Sequence, residues 1–506
     1  DRLRSRGLGD VYKRQIQYLY NRLKNIAWIS FNNKNIEKCL RYIHLSAIVG
    51  YHFNFFYKDD ESDKLLESIG ELIYSPKKID RSSDTKIVLL DSFDNPKVLT
   101  VQYLRALIQL NVEFLYVVEN VSDSMECYYE EVTQSKRGNI YFLNTLKFQD
   151  RALEISKCFD EFNPTHILCH ITPWDTAGLV AVSTRKNAIK YNINLTDEAF
   201  WLGANIFDYV LEFRDFGATL SHEKRGFDEK QILYNPYYPL IRNSKFEGFP
   251  CSTNNQVIIF SGGSYNKILG DDDKFLFLVE RILRENKNVI FLYAGMGFGR
   301  TVVEKFVNSK KLNDRFILLG ERKDIDQVFL NSDIFISTYP ISGGLMSLYA
   351  AYFSKPIVAY VKNLKADDIV EDLIFVNKPR SVKCTFDSDE NFLNEVKILV
   401  KDKGYRKEQG RLLKEGMTNM DSFVTNLSDN LFYHKSRYIQ PLDIDYSAIS
   451  DKYVELYNLG GNTHVNVMLI KGMGWELYKL KLKFICGALF SVLKIAFERV
   501  KISILL

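Results

Sequence analysis

Gly320-Glu321-Arg322-Lys323-Asp324-Ile325, Ser332-Asp333-Ile334-Phe335-Ile336-Ser337-Thr338-Tyr339-Pro340-Ile341-Ser342-Gly343-Gly344 and Lys355-Pro356-Ile357-Val358 follow one another in this 506-residue chain, and their reading decides its fold. Ile334 to Ser337 is a short apolar run, the texture of a strand buried on both faces. It ends in a Pro-containing loop. Gly343 and Gly344 then open a helix of small and apolar residues, which closes before a second apolar run, Ile357 to Val361. Strand, helix and strand in about thirty residues form the crossover unit of a parallel sheet.

Upstream the same alternation repeats. Val257 to Phe260, Val289 to Tyr293 and Phe316 to Leu319 read as strands, with helices at Lys274 to Arg284, Thr301 to Lys310 and Ile325 to Leu330 between them. An earlier series holds strands at Ile87 to Leu90, Phe114 to Val118, Ile140 to Leu143 and Ile167 to Leu168, with helices near Val101 to Leu110, Leu153 to Phe162 and Asp175 to Lys186. Between the two series, Pro236, Pro239, Gly248, Pro250, Ser252 and Thr253 mark a hinge. The expected fold is therefore α/β, with two Rossmann-like doubly wound domains facing a cleft. The first spans 81–240 and the second 255–432. A helical preface occupies 16–80 and a tail with an amphipathic helix 433–506. Residues 1–15 begin with Asp1 rather than Met, show no apolar periodicity and read as translated adapter sequence, so fold reasoning starts at Ile16.

Composition narrows the function. The chain is 46% apolar and 14% aromatic, enough for a large core, and its 67 basic residues against 63 acidic ones give no field suited to nucleic acid. Seven dispersed cysteines form no CxxC pair, which fits a reducing cytoplasm rather than a disulfide framework.

In open α/β sheets ligands bind beyond the carboxyl ends of the strands, so the loops that follow them are the candidate sites. Gly262, Gly263 and Ser264 would let backbone amides approach a phosphate, and Lys267 would pair with its charge. Gly295 and Gly297 lie in the next such loop. Ser342, Gly343 and Gly344 would offer free amides at a helix N-terminus, where the dipole favours an anion; the plainer reading is an N-cap with Ser342 capping.

The ordered set from Gly320 to Val358 resembles the donor-binding half of GT-B glycosyltransferases: a Gly-x-Arg-x-Asp-Ile turn containing Arg322, a strand ending in a Pro-containing loop, a Gly-Gly helix start, and a Lys-Pro-Ile-Val strand. Many retaining members carry two glutamates where this chain has Ile341 to Ser342 and Tyr349. The Thr-Tyr-Pro-x-x-Gly-Gly form is more similar to bacterial inverting enzymes related to the O-linked N-acetylglucosamine transferases and to surface-polysaccharide glycosyltransferases. Asn194-Leu195-Thr196-Asp197-Glu198-Ala199-Phe200-Trp201-Leu202-Gly203 resembles a signature of the same group, which points to Asp197. The resemblance, covering Lys86 to Phe432, implies transfer of a sugar from a nucleotide diphosphate, by default a UDP-sugar, to a glycan, lipid-linked or protein acceptor. A nucleotide-sugar epimerase and a non-catalytic sugar-nucleotide-binding protein would share the scaffold.

An inverting transfer needs a base from the first domain. His170, just past a strand end, and Asp175, at a helix start, are the expected groups; His166 reads as a core histidine. No cofactor or metal is expected to be required, because Asp271-Asp272-Asp273 directly precedes a helix and reads as an N-cap rather than an Asp-x-Asp metal site.

From Lys471 to Leu506 seven basic residues face two acidic ones, and the longest uncharged apolar run is ten residues, short of the ~20 a spanning helix needs. Lys479, Lys483, Lys494 and Lys501 fall on one side of a helix, with Leu482, Ile485, Leu489, Val492 and Ala496 on another. The expectation is a cytoplasmic enzyme held peripherally on the anionic inner face of a membrane.

Overall fold

The computed structural model describes residues 2–76, 84–93, 98–119, 126–297, 299–366, 369–376, 378–435, 437, 439–456, 462–482 and 484–491. Among these, thirteen strands form two all-parallel sheets. The first contains β1 (Lys86–Asp91), β2 (Glu113–Glu119), β3 (Gly138–Leu143), β4 (His166–His170), β5 (Ile189–Ile193), β6 (Tyr209–Glu212) and β7 (Ile232–Tyr234), in the order β3-β2-β1-β4-β5-β6-β7. The second contains β8 (Val257–Gly262), β9 (Val289–Ala294), β10 (Phe316–Gly320), β11 (Ile334–Ile336), β12 (Ile357–Tyr360) and β13 (Thr385–Phe386), in the order β10-β9-β8-β11-β12-β13. In each, winding reverses at the first strand, which places the switch points between β1 and β4 and between β8 and β11. Register sets Asp91 opposite His170 at the first of these points.

Both sheets are covered on two faces. Val88 and Leu90 join one core while Ile87 and Leu89 join the core on the other side; Ile259 and Phe260 divide in the same way in the second sheet. This is the two-sided burial that near-continuous apolar strands require.

The 16–80 preface is part of the first domain. Helices Ile36–Phe53 and Asp60–Ile73 place Leu40, Ile43, Leu65 and Ile69 in the same core as Val88. The preceding helix runs Arg2–Asn32, so its backbone continues through residues 2–15 rather than starting at Ile16.

The expected end of the second domain at 432 moves. Helix Met420–Tyr433 returns to the first domain, where Phe423, Leu427 and Leu431 pack with Tyr103 and Tyr238, and Asn430 Nδ2 donates to the Tyr234 carbonyl at 2.9 Å. Its apolar stripe completes a face of the first sheet, which sequence order alone does not reveal.

The tail also differs from one long amphipathic helix. Helix Asn462–Met473 leads into a 3₁₀ turn, Gly474–Lys479, with Gly474 at φ 52°, and helical backbone resumes before residue 484. That interruption separates Lys479 from the helical residues that follow. Ile485 packs on the first core and Ala488 is buried, whereas Leu482 and Leu489, expected on the same side as Ile485, are exposed. Lys483, Val492, Lys494, Ala496 and Lys501 lie outside the described residues. Among the described residues no helix is long and apolar enough to cross a membrane.

Candidate active site between the two sheets

The loops beyond β8, β9 and β11 converge. Gly263 N–H donates to the Ala294 carbonyl at 2.9 Å, and Gly295 N–H to the Gly320 carbonyl at 2.9 Å. A Cβ on Gly295 would lie 2.2 Å from the Gly263 carbonyl oxygen, so only glycine permits this approach of the two loops. Lys267, in the short 3₁₀ helix Tyr265–Ile268, donates from Nζ to the Ser342 carbonyl at 3.3 Å, and its own carbonyl accepts from Ile341 N–H at 3.3 Å. Gly262, Gly263, Ser264, Lys267, Ser342, Gly343 and Gly344 thus form one continuous patch. Gly297, at φ 90°, adopts the left-handed backbone that favours glycine, and a Cβ there would stand 4.0 Å from Ser264 Cβ.

Helix Gly344–Tyr352 begins at this patch with Gly343 as its N-cap. Ser342 stands one residue before the N-cap position that the plainer reading gives it. The helix dipole directs partial positive charge at the patch from this end.

Arg322 sits elsewhere. It forms a bidentate pair with Asp324, 2.7 Å on both branches, and donates to the Gly248 carbonyl at 2.7 Å. Asp324 also accepts from Glu247 N–H, and Asp326 from Ser244 N–H, each at 2.8 Å. The Arg-x-Asp-x-Asp turn clamps the interdomain segment, and Arg322, expected at the donor, is engaged at the hinge. Tyr349, at the position of a retaining-type glutamate, likewise holds the hinge by donating to the Leu240 carbonyl at 2.6 Å. Of the three aspartates before helix Lys274–Glu285, Asp273 stands at the N-cap as expected. Asp271 to Asp273 all have positive φ, Asp273 makes no side-chain cap, and Asp271 instead accepts from Tyr339 Oη at 2.6 Å and pairs with Lys362 at 3.2 Å.

Across the cleft stands the turn that follows β5. Arg214 grips both Asp197 oxygens, at 2.6 and 2.8 Å, and the fully buried Arg225 donates to the Asp197 and Ala199 carbonyls, each at 2.7 Å. Behind them Glu212 accepts from Asn194 at 2.8 Å and Ser221 at 2.5 Å; burial pushes its carboxyl up to about 7. Asp197 is thus held in an ion pair that fixes the turn, which presents the neighbouring Glu198 to a cavity of about 150 Å³. Glu198, Arg214 and Tyr237 wall it from the first domain and Ser342, Gly344 and Ser347 from the second. The two domains also meet directly, Phe216 N–H donating to Asp372 at 3.0 Å.

His170 and Asp175 separate in role. Asp175 caps helix Thr176–Ser183, accepting from Gly178 N–H at 2.9 Å. Its place at a helix start made both readings possible, and the geometry gives it a structural contact. His170 is buried at the switch point with Nδ1 3.2 Å from Asp91 Oδ1 and 3.1 Å from Thr100 Oγ1; its Nε2 has no partner among the described residues. Asp91 is further fixed by Thr100 at 2.8 Å and Tyr116 at 3.2 Å. His166 is stacked on Tyr191, and burial pushes it down to about 4, as a core histidine.

Sequence reasoning missed Asp91, Arg214 and Tyr237. Asp91 ends β1 and Phe213-Arg214 follows β6, so the strand-end rule would have found both once those strand ends were read. β6 is only Tyr-Val-Leu-Glu and gave too short a signal.

Two parallel sheets, a cleft between their carboxyl ends and a helix that returns from the second domain to the first define the GT-B fold. Two solved structures share it. Anabaena HepE in complex with UDP and glucose is 11% identical at TM-score 0.50, the match covering 69% of this chain and 100% of that one. A mutant O-GlcNAc transferase from Thermobaculum terrenum is 13% identical at TM-score 0.52, covering 87% and 85%. No protein-family model and no curated protein matches the chain. At these identities the likeness establishes the fold.

Proposed function

We propose that the protein is an inverting glycosyltransferase that takes a sugar from a UDP-type nucleotide diphosphate and gives it to a hydroxyl of a glycan, lipid-linked or protein acceptor, at the inner face of a bacterial membrane. One observation carries the reading. Lys267 lies on the Ser342 carbonyl beside the N-terminus of helix Gly344–Tyr352, and across the cavity stands the Glu198 turn. A cation and oriented amides are what a departing diphosphate needs, and they act without a metal ion. The solved structure of HepE contains UDP and glucose, which supports the choice of nucleotide.

In this proposal the acceptor oxygen attacks the anomeric carbon as the bond from that carbon to the diphosphate oxygen breaks. The acceptor proton passes to Nε2 of His170, whose Nδ1 is oriented by Asp91 in the manner of a base backed by a carboxylate. Glu198 orients the acceptor from the cavity wall. The test is acceptor-dependent release of UDP, measured for His170→Ala and Glu198→Gln. His170→Ala should lower turnover roughly a hundredfold or more with UDP affinity unchanged, and Glu198→Gln should mainly raise the acceptor KM. If Glu198→Gln alone abolishes turnover, the base is Glu198. Transfer abolished by EDTA and restored by a divalent ion would overturn the metal-independent step.

A further inference from the structure

Apolar surface left in water is concentrated on the C-terminal segment. Trp475 is 97% exposed, Tyr478 73%, Leu482 74%, Leu489 53% and Phe490 70%. The helical backbone at 484–491 buries Ala488 and Ser491 and packs Phe484 and Ile485 on the first core. Docking onto the protein therefore occupies one side of this segment and leaves an equally apolar side uncovered. Such a cluster marks an interaction surface.

The segment lies along the first helix of the chain. Arg22 Nε donates to the Lys479 carbonyl at 3.3 Å, and Lys481 Nζ stands 4.0 Å from the Tyr18 ring centre. That helix goes on to carry Trp28, 38% exposed, and Ile29, 50% exposed. Glu476, the acid within the segment, is taken up by Lys38, by Tyr42 at 2.7 Å and by Lys479 at 2.5 Å, and these contacts hold its carboxyl down at about 2. The exposed charges beside the apolar cluster are the cations Lys471 and Lys481. Lys494, Arg499 and Lys501 against Glu498 extend the same sign along the chain.

Exposed Trp and Tyr rings and aliphatic side chains in a stretch whose exposed charges, among the described residues 471–491, are lysines match the boundary of an anionic bilayer, where rings sit at headgroup level and lysines meet lipid phosphate. We propose that the exposed side chains of Trp475, Tyr478, Leu482, Leu489 and Phe490 insert into the interface of an anionic membrane, and that the contact is made by this docked segment rather than by a free amphipathic helix. The inference does not depend on the transfer reading.

Its test uses the full chain, phosphatidylcholine vesicles with and without phosphatidylglycerol, and the variant Trp475→Ser/Tyr478→Ser/Phe490→Ser. The full chain should sediment with phosphatidylglycerol vesicles at low salt, and its partition coefficient should fall roughly tenfold or more in the variant. Unchanged UDP binding by the variant would show that it is folded and would keep this result separate from the catalytic proposal. No binding of the full chain, or equal binding of the variant, overturns the proposal. So does a concentration-dependent dimer that the variant abolishes in the absence of vesicle binding, which would make a second copy the occupant. Vesicle binding that appears only when the chain is ended at Ser491 overturns it as well, because residues 492–506 would then cover the face.

Discussion

Lys267 and Arg322 were both expected at the donor, and the structure separates them by what each touches. Lys267 meets the Ser342 carbonyl in the loop before helix Gly344–Tyr352, whereas Arg322 is consumed by Asp324 and the Gly248 carbonyl. Lys267→Ala should weaken UDP binding at least ~tenfold by calorimetry, since a charge-assisted contact to phosphate is lost. Arg322→Ala should leave UDP affinity near normal and lower unfolding stability by roughly 3 kcal/mol, because it strands the buried Asp324 carboxylate. Denaturant titration checks the second; intact stability with lost affinity would reverse the two assignments. Legibility at this scale follows position. Residues at or just past readable strand ends, such as Lys267, Gly343 and His170, were singled out because open α/β sheets bind ligands there. What the sequence could not distinguish was whether Asp197, Asp175 and Arg322 serve chemistry or fix a loop, since that depends on partners brought from Arg214, Gly178 and Gly248.

The Ile36–Phe53 and Asn462–Met473 helices are joined by a histidine pair, His52 Nε2 to His464 Nδ1 at 2.7 Å, with Trp174 and Lys471 nearby. Such a bond needs at least one ring to be neutral. Burial pushes His52 down to about 3 and lowers His464, and the His464 ring and Lys471, respectively, act in the same direction. In the unfolded chain both titrate near 6.5. The neutral pair therefore stabilises the docked helix fully above about pH 6.5, and that contribution is lost as pH falls toward 3. Hydrogen exchange in the 462–473 helix should rise between pH 7 and pH 5, after correction for intrinsic rates, and His464→Asn should flatten the rise; a pH-independent profile in the wild-type chain would contradict the coupling. Element types were legible wherever apolar runs were long, as at Val257 and Val289. The tail departed from one wheel because its 3₁₀ turn ends at Lys479, before the helical backbone at 484–491, so Lys479 and Leu489 belong to separate elements.

At the scale of the whole molecule, the two sheets are linked by more than a hinge. Phe216 bonds Asp372 across the cleft, Leu442 N–H donates to Thr219 Oγ1 at 3.1 Å, and Asp445 N–H donates to the Lys365 carbonyl at 2.9 Å, so the returning chain ties both domains. The two-domain layout was read from alternating strands and helices. The return of Met420–Tyr433 to the first domain was not, because contacts between Asn430 and Tyr234 lie far apart in sequence. The fold itself accommodates a transferase, an epimerase or a binding protein, and the chemistry decides among them. Incubating the purified full chain with UDP-sugars, with and without glycan and lipid-linked acceptors, tests the central claim most directly. The account predicts acceptor-dependent release of UDP and a glycosylated acceptor with inverted anomeric configuration. Nucleotide binding with no release, or recovery of a donor epimerised at another carbon, would contradict it.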